Sequence, residues 1–332
     1  MLTPSLITCH NRAILTVLQR HYTTTSQLPN ILNWIRQGDH IKTKDEPLYD
    51  GHIPINILQR AILSVGSSIM ALTDPARGDM IAVNGESSGH FALMGMHKKM
   101  LENEEGQEIL KDRPRINSSS IDLEKLKCYP DGTLGREYTK FLEVNNVSPD
   151  TRLPVRFVDD ADLAYVMQRY RETHDLVHTI LGCPTNMLGT FTSVFFHNYI
   201  RKCKKHICAF RGSCSQVGWE VAVKWVEALQ TGLPMCIGGA VFGPVRLKPK
   251  NRSTYLNEYL PWAIRVGSNS AFLMNVYYER RWEQDIAELR DELKIETPPV
   301  ILKSQRPVEN VFVEAETNGL KMPQLDSTPI AM

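Results

Sequence analysis

The residues in this sequence best suited to chemistry lie in the run Arg171-Glu172-Thr173-His174-Asp175-Leu176-Val177-His178. On a helix, His174 and His178 stand one turn apart, so both imidazoles project from one face. Two neutral imidazoles at that spacing suit a divalent metal, as on the helix of zinc peptidases. Those enzymes place a Glu beside the first histidine as general base. Here the acid is Asp175, one methylene shorter. It fits a ligand, or a group bonded to a ligand, better than a base reaching for a metal-bound water. The competing reading makes both histidines polar residues on a helix surface. Against it, the stripe Leu163, Val166, Tyr170 continues through His174, Val177, His178 and Leu181 at three- and four-residue spacing. That spacing predicts a buried position for both imidazoles. Two buried imidazoles and a carboxylate need partners, and a cation satisfies all three. A divalent metal takes four or more ligands, so a further donor is expected.

The helix that must hold these groups has clear ends. Pro154 and the acids Asp159, Asp160 and Asp162 precede it, and acids suit the positive end of a helix dipole. Gly182 and Pro184 stop it. From Leu48 to about Glu296 few segments alternate with a period of two, so the fold class is mainly α, a single helical domain with the metal site on a central helix. Residues 55–72, after Pro54, are apolar but include Ser64, Gly66, Ser67 and Ser68, small residues that admit a close neighbour. They predict a buried core helix. Thr73-Asp74-Pro75 is a stop and restart. Residues 79–92 look broken by Gly and Ser, with a short helix at 91–101. A helix over 220–229 ends at Thr231-Gly232. The uncharged window 228–245 holds Gly232, Gly238, Gly239, Gly243, Pro234 and Pro244, too broken to span a membrane. It is expected to line an apolar pocket, touch a bilayer, or form a buried connection. The last helix is expected over 275–293, with Trp282, Ile286, Leu289 and Leu293 on one face.

The 332 residues carry 38 basic and 37 acidic side chains, net +1, a balance that argues against a general nucleic-acid binder. Seven cysteines, an odd number in a long chain, do not suggest a secreted disulfide framework. The charge is unevenly spread. Residues 1–38 contain no acid but include Arg12, Arg20, Arg36 and many hydroxyls. This composition predicts a mitochondrial transit peptide over 1–22 and a linker over 23–47; a disordered tail is the alternative. Residues 301–332 lack periodicity and are expected to be a disordered tail. Residues 190–219 also contain no acid. They hold Arg201, Lys202, Lys204, Lys205, Arg211 and three cysteines, Cys203, Cys208 and Cys214. With His197 and His206 these could form a metal knuckle, but no Cys-x-x-Cys pair is present. The composition suggests an insertion. Without it and without residues 1–22 the chain would be acidic, net −6.

The motif resembles that of the mitochondrial ubiquinone (coenzyme Q) biosynthesis family, whose members carry His-Asp-x-x-His-x11-Glu. The resemblance spans residues 48–300 and includes Leu48-Tyr49-Asp50-Gly51-His52-Ile53-Pro54, residues 171–189, 220–229, and Pro261-Trp262-Ala263. One departure stands out. The family's Glu would follow Gly189, where this chain has Thr190. Removing the 30 residues 190–219 joins Gly189 to Glu220 and restores the spacing. The piece therefore suggests a retained intron or a mispredicted exon, or else a genuine loop that returns Glu220 to the metal. The resemblance implies a metal held by His174, Asp175, His178 and Glu220, also the catalytic set, acting through that metal. Zn2+ is the expected ion, with Fe2+ or Co2+ as alternatives. It implies a carbon-carbon lyase removing the C1 carboxyl of a polyprenylated 4-hydroxy-3-methoxybenzoate, possibly with hydroxyl replacing carboxyl. It further implies a peripheral place on the matrix side of the inner mitochondrial membrane, among the other proteins of the ubiquinone-synthesis complex, which it would help organise. No nucleic acid is implied. A non-catalytic prenyl-lipid-binding scaffold is the alternative. If residues 190–219 are an artefact, peptide mass spectrometry of the native protein returns nothing from residues 195–211; recovery of such peptides overturns that reading.

Overall fold

In the computed structural model, residues 47–74, 77–182, 217–247 and 249–299 are described. The expected transit peptide, nearly all of the linker, residues 190–216 of the expected insertion with their cysteines and histidines, and the tail over 301–332 lie outside them. The described chain is helical and contains no strand; its one β-type contact is the isolated bridge between Thr133 and Asp285.

Helix α1, Ile57–Thr73, starts where Asn56 and Gln59 cap each other reciprocally. Helix α2 is Gly78–Ser88, α3 His90–Leu101 and α4 Glu104–Asp112. The short α5, Leu123–Lys127, leads to α6, Leu134–Asn145. Asp160 accepts from the backbone of Asp162 and Leu163 to begin α7, Ala161–Ile180. Gly182, at φ +62°, follows its end. Helix α8 is Val217–Thr231, and α9, Pro234–Phe242, opens with Pro at its first position. Helix α10, Pro249–Thr254, runs through a π-helical turn, Tyr255–Tyr259, into α11, Leu260–Asn269. The last described helix is α12, Ile286–Glu292.

Three sequence expectations change here. Helix α1 is not a buried core helix. Ser64, Ser67 and Ser68 turn inward, where Asn84 of α2 donates to the Ser68 hydroxyl at 2.6 Å and to the Ser64 carbonyl at 3.3 Å. Leu58, Ile62, Val65, Ile69 and Leu72, at four- and three-residue spacing, turn outward. The small residues do admit a close neighbour, and the apolar stripe faces away from it. Residues 78–88 form one helix that runs through Gly85, where a side chain would strike Met167 and Met235; the glycine serves packing. The last helix is shorter than expected because Asp285 caps it, accepting from Ala287 and Glu288. Upstream, residues 273–280 form two short 3-10 turns whose Val276 carbonyl and Glu279 carboxylate bind Arg169 of α7.

Helix α7 is the centre of the fold. Sixteen of its twenty residues are buried, so it is enclosed on every side rather than along one stripe. Its charges are paired by different elements. Fully buried Arg169 meets Glu279. Arg171 donates to Glu86 of α2 at 2.6 Å and to the carbonyls of Ala82 and Leu153. The same Glu86 accepts the backbone N–H of Arg156 and Phe157, both at 2.7 Å. Glu172 accepts from Arg115, Gln168 and the backbone of Ile116. Removing one partner of such a pair leaves a buried charge alone, at a cost of about 3–5 kcal/mol. Arg171→Met is therefore expected to lower unfolding free energy in urea by about that amount, and adding Glu86→Gln to restore part of it.

Candidate metal centre

Helix geometry puts both imidazoles on one face, as their spacing predicts, but only His178 is buried; His174 is partly exposed. His174 and His178 lie on one face of α7 with ring centroids 4.7 Å apart, nearly edge-on at 85°. His178 is buried and stacks on Phe141 of α6, with centroids 6.0 Å apart. Facing them is α8. Trp219, Val223 and Val226 bury its apolar side. Trp219 stacks on Tyr259 at 3.8 Å, so the last residues of the expected insertion, 217–219, form the first turn of this helix. Glu220, Lys224 and Glu227 follow at four- and three-residue spacing, on one side of α8.

This face brings charge to the histidines. Glu227 Oε1 lies 2.5 Å from His174 Nδ1, and Lys224 Nζ donates to Glu227 Oε2 at 2.7 Å. Burial would raise the Glu227 carboxyl, but His174 and Lys224 outweigh it and hold Glu227 well below the usual range. Glu220 is raised by burial, against the opposing pull of Lys224 and His174. Those couplings put Glu220 within electrostatic reach of His174. Lys224 is raised: the charge of Glu227 overcomes the effect of burial. Behind Glu227 lies Cys236 of α9, whose thiol is 3.8 Å from Oε2 and 3.1 Å from the Tyr170 hydroxyl.

Asp175 is not brought to this group. Its carboxylate, almost fully buried, is bonded by Arg152. Arg152 is about one-third exposed and also lines a surface cavity of about 310 Å³ with Arg115, Asp150, Gln168 and Glu172. Among the described residues, no three or more His, Cys, Asp or Glu side chains stand in an arrangement that would hold a metal. The donor types fit one all the same: two imidazoles and the Glu220 carboxylate are a nitrogen-oxygen set suited to zinc, iron or cobalt. With Nδ1 taken by Glu227, His174 has Nε2 for such a cation. Sequence reasoning missed Glu227 and Lys224. Their signal was present: two charged residues, four and seven positions after Glu220, on a helix otherwise rich in Val, Ala and Trp.

The fold and site together define an all-helical domain built around a buried imidazole–carboxylate cluster. The family model described as "Coenzyme Q (ubiquinone) biosynthesis protein Coq4" matches residues 49–199 and 193–299. The chain belongs to that family. It is 48% identical over 254 residues to the human ubiquinone biosynthesis protein COQ4 homolog, mitochondrial, covering 76% of this chain and 84% of the human one. The Xenopus tropicalis protein of the same name is 50% identical over 254 residues, covering 76% and 80%, and the Anopheles gambiae one is 52% identical over 244, covering 74% and 76%. A crystal structure of a Nostoc punctiforme protein, provisionally named for ubiquinone biosynthesis, shares the fold. Its TM-score is 0.51 at 19% identity, over 71% of this chain and 98% of that one. The two family matches meet inside the stretch where the sequence suggested an insertion.

Burial and the neighbouring Glu227 push the Cys236 thiol up to about 12. At pH 8 it is therefore almost wholly protonated, and the thiolate is the reactive form. Iodoacetamide is expected to label exposed Cys128 in the native protein and to reach Cys236 only after denaturation, as read by peptide mass spectrometry. Rapid native labelling of Cys236 would contradict this packing.

Proposed function

We propose that the chain removes the C1 carboxyl of a polyprenylated 4-hydroxy-3-methoxybenzoate in mitochondrial ubiquinone biosynthesis, with a divalent cation held by His174, His178 and Glu220. The observation that carries the reading is the paired imidazoles of α7 facing the carboxylates of α8, in a chain of this family. Asp175 would join the set only by exchanging Arg152 for the cation, and the cavity beside Arg152 would give the guanidinium room to leave. The cation, when bound, would stabilise negative charge on the substrate's carboxylate or phenolate. The imidazoles would bind it as neutral donors, and burial of His178 behind Phe141 limits water on that side. In the simple reaction the C1–carboxyl bond breaks, carbon dioxide leaves and a proton takes its place. Replacement by hydroxyl needs an oxidant as well.

The substrate's tail is a lipid, and the outward face of α1 suits a lipid surface. Leu58, Ile62 and Val65 are more than 60% exposed, and Phe242 and Val245 are exposed near the end of the next apolar stretch. Arg246 donates to the Leu72 carbonyl and ties the two stretches together. No acid occurs in residues 51–73 or 228–257, while Arg246, Lys248, Lys250 and Arg252 lie in the latter. An apolar stripe tied to a stretch whose sequence is basic and free of acids matches an anionic bilayer. Among the described residues no helix is long and apolar enough to cross a membrane, so α1 would lie in the interface. This supports a peripheral place on a membrane surface; we place it on the matrix side of the inner membrane, where the other proteins of the ubiquinone-synthesis complex would dock. The second reading, a lipid-binding scaffold without catalysis, draws on the same face and on the Arg152–Asp175 pair.

Turnover separates the two readings. The full chain, loaded in turn with zinc, iron(II) and cobalt(II), is expected to release carbon dioxide from a short-chain prenylated 4-hydroxy-3-methoxybenzoate, and His174→Ala to abolish release. Equal turnover by both proteins removes the catalytic reading and leaves the scaffold. For the membrane face, a large apolar side chain is worth about 1.5–3 kcal/mol on full burial. The double variant Ile62→Glu, Val65→Glu is expected to reduce co-sedimentation with vesicles containing an anionic phospholipid by at least about tenfold. Its helical circular dichroism should not change.

A further inference from the structure

We infer that Glu227 is the positioning residue of His174: its carboxylate accepts a hydrogen bond from Nδ1–H and fixes the ring with Nε2 as the only nitrogen left to bind a cation. The inference rests on the metal reading above for its purpose, but its geometry is independent of that reading. Four contacts set Glu227 in place. Oε1 is 2.5 Å from His174 Nδ1. Oε2 accepts from Lys224 Nζ at 2.7 Å and lies 3.8 Å from Cys236 Sγ. One turn on, the Thr231 hydroxyl donates to the Glu227 backbone carbonyl at 2.7 Å. The side chain is 3% exposed.

A carboxylate with both oxygens engaged and almost no access to water cannot rotate without losing charge-assisted bonds, each worth more than a neutral hydrogen bond. It is therefore a poor candidate for direct coordination and a good one for orientation. An imidazole that binds a metal through one nitrogen commonly donates its other N–H to a carboxylate, which selects the tautomer and holds the ring plane. The His174–Glu227 pair has that form. It divides the two carboxylates of α8 by role: Glu220, two turns nearer the helix start, would be the donor toward the cation, and Glu227 holds the imidazole. Lys224 lies between them in sequence and on the same face, and its ammonium keeps Glu227 from turning toward the cation. Cys236, with its thiol protonated, borders the carboxylate without competing as a ligand.

The test uses the full chain without metal first. Side-chain 15N NMR, with His174→Gln to assign the signal, reads which ring nitrogen of His174 carries the proton. The expected result is protonated Nδ1 in the wild-type protein and a mixed or reversed tautomer in Glu227→Gln. Glu227→Asp, which keeps the charge but shortens the reach, should fall between them and serves if Glu227→Gln does not fold. Zinc affinity is then measured by competition with a chromogenic chelator. Glu227→Gln is expected to bind zinc about 10–100-fold more weakly than wild type, with Glu227→Asp recovering part of the loss. A wild-type His174 protonated on Nε2, or unchanged zinc affinity in Glu227→Gln, overturns the inference. Zinc affinity equal in wild type and His174→Ala would instead remove the metal reading, and the tautomer alone would decide whether Glu227 orients the ring.

Discussion

The structure depends on a central helix that carries charge into the interior. Helix α7 is buried around its whole circumference, yet it bears Arg169, Arg171, Glu172, Asp175 and two histidines. Each of these would cost several kcal/mol if left alone in a low-dielectric interior. The surrounding elements answer one by one: Glu279 from the turn before α12, Glu86 from α2, Arg115 from the loop after α4, Arg152 from the loop before α7, and Glu227 from α8. Helix order and loop placement follow from supplying these partners. A shift of one residue in α7 would turn each charge from its partner by about 100°.

The same constraint makes the site. Among the described residues, it is the His174–His178 side of α7 that meets a helix bringing two carboxylates and an ammonium rather than one counter-charge. Elsewhere on α7 each pair is closed and local, as befits structure. Here a second imidazole adjoins the pair and Glu220 lies within electrostatic reach of His174, so donor types that suit divalent cations share one side of the helix. Asp175 sits at the border between the two regimes, close in sequence to the histidines but held by Arg152 in the manner of the structural pairs. The outer shell follows a different logic. In α1 the polar and small residues pack inward and the apolar ones face out, which makes sense only if that face is covered by something apolar.

Much of this was legible in the sequence, for physical reasons that can be named. The ends of α7 were written in Asp160 and Gly182, and its inner face in the 3/4 spacing through Tyr170, His174 and His178. Helix α8 was evident up to Thr231. The side on which α1 buries its residues was not legible, because apolar composition reports that a face must be covered but not by what. Gly85 looked like a break and is a packing contact with Met167 and Met235. Helix α12 was drawn too long because apolar periodicity through Trp282 outweighed the cap at Asp285. Glu227 escaped attention because its partner lies 53 residues away on another helix, and spacing within one helix cannot reveal a contact between two.

The measurement that bears most directly on the metal centre is X-ray absorption at the metal edge of the purified full chain. About one metal per chain is expected, bound by two imidazole nitrogens and carboxylate oxygens and no sulfur, and disturbed by His174→Ala and by His178→Ala. A shell dominated by sulfur would assign the metal to the cysteines of residues 190–219, and a metal-free protein after metal-supplemented expression would leave α7 with a structural histidine pair; either result would contradict the account.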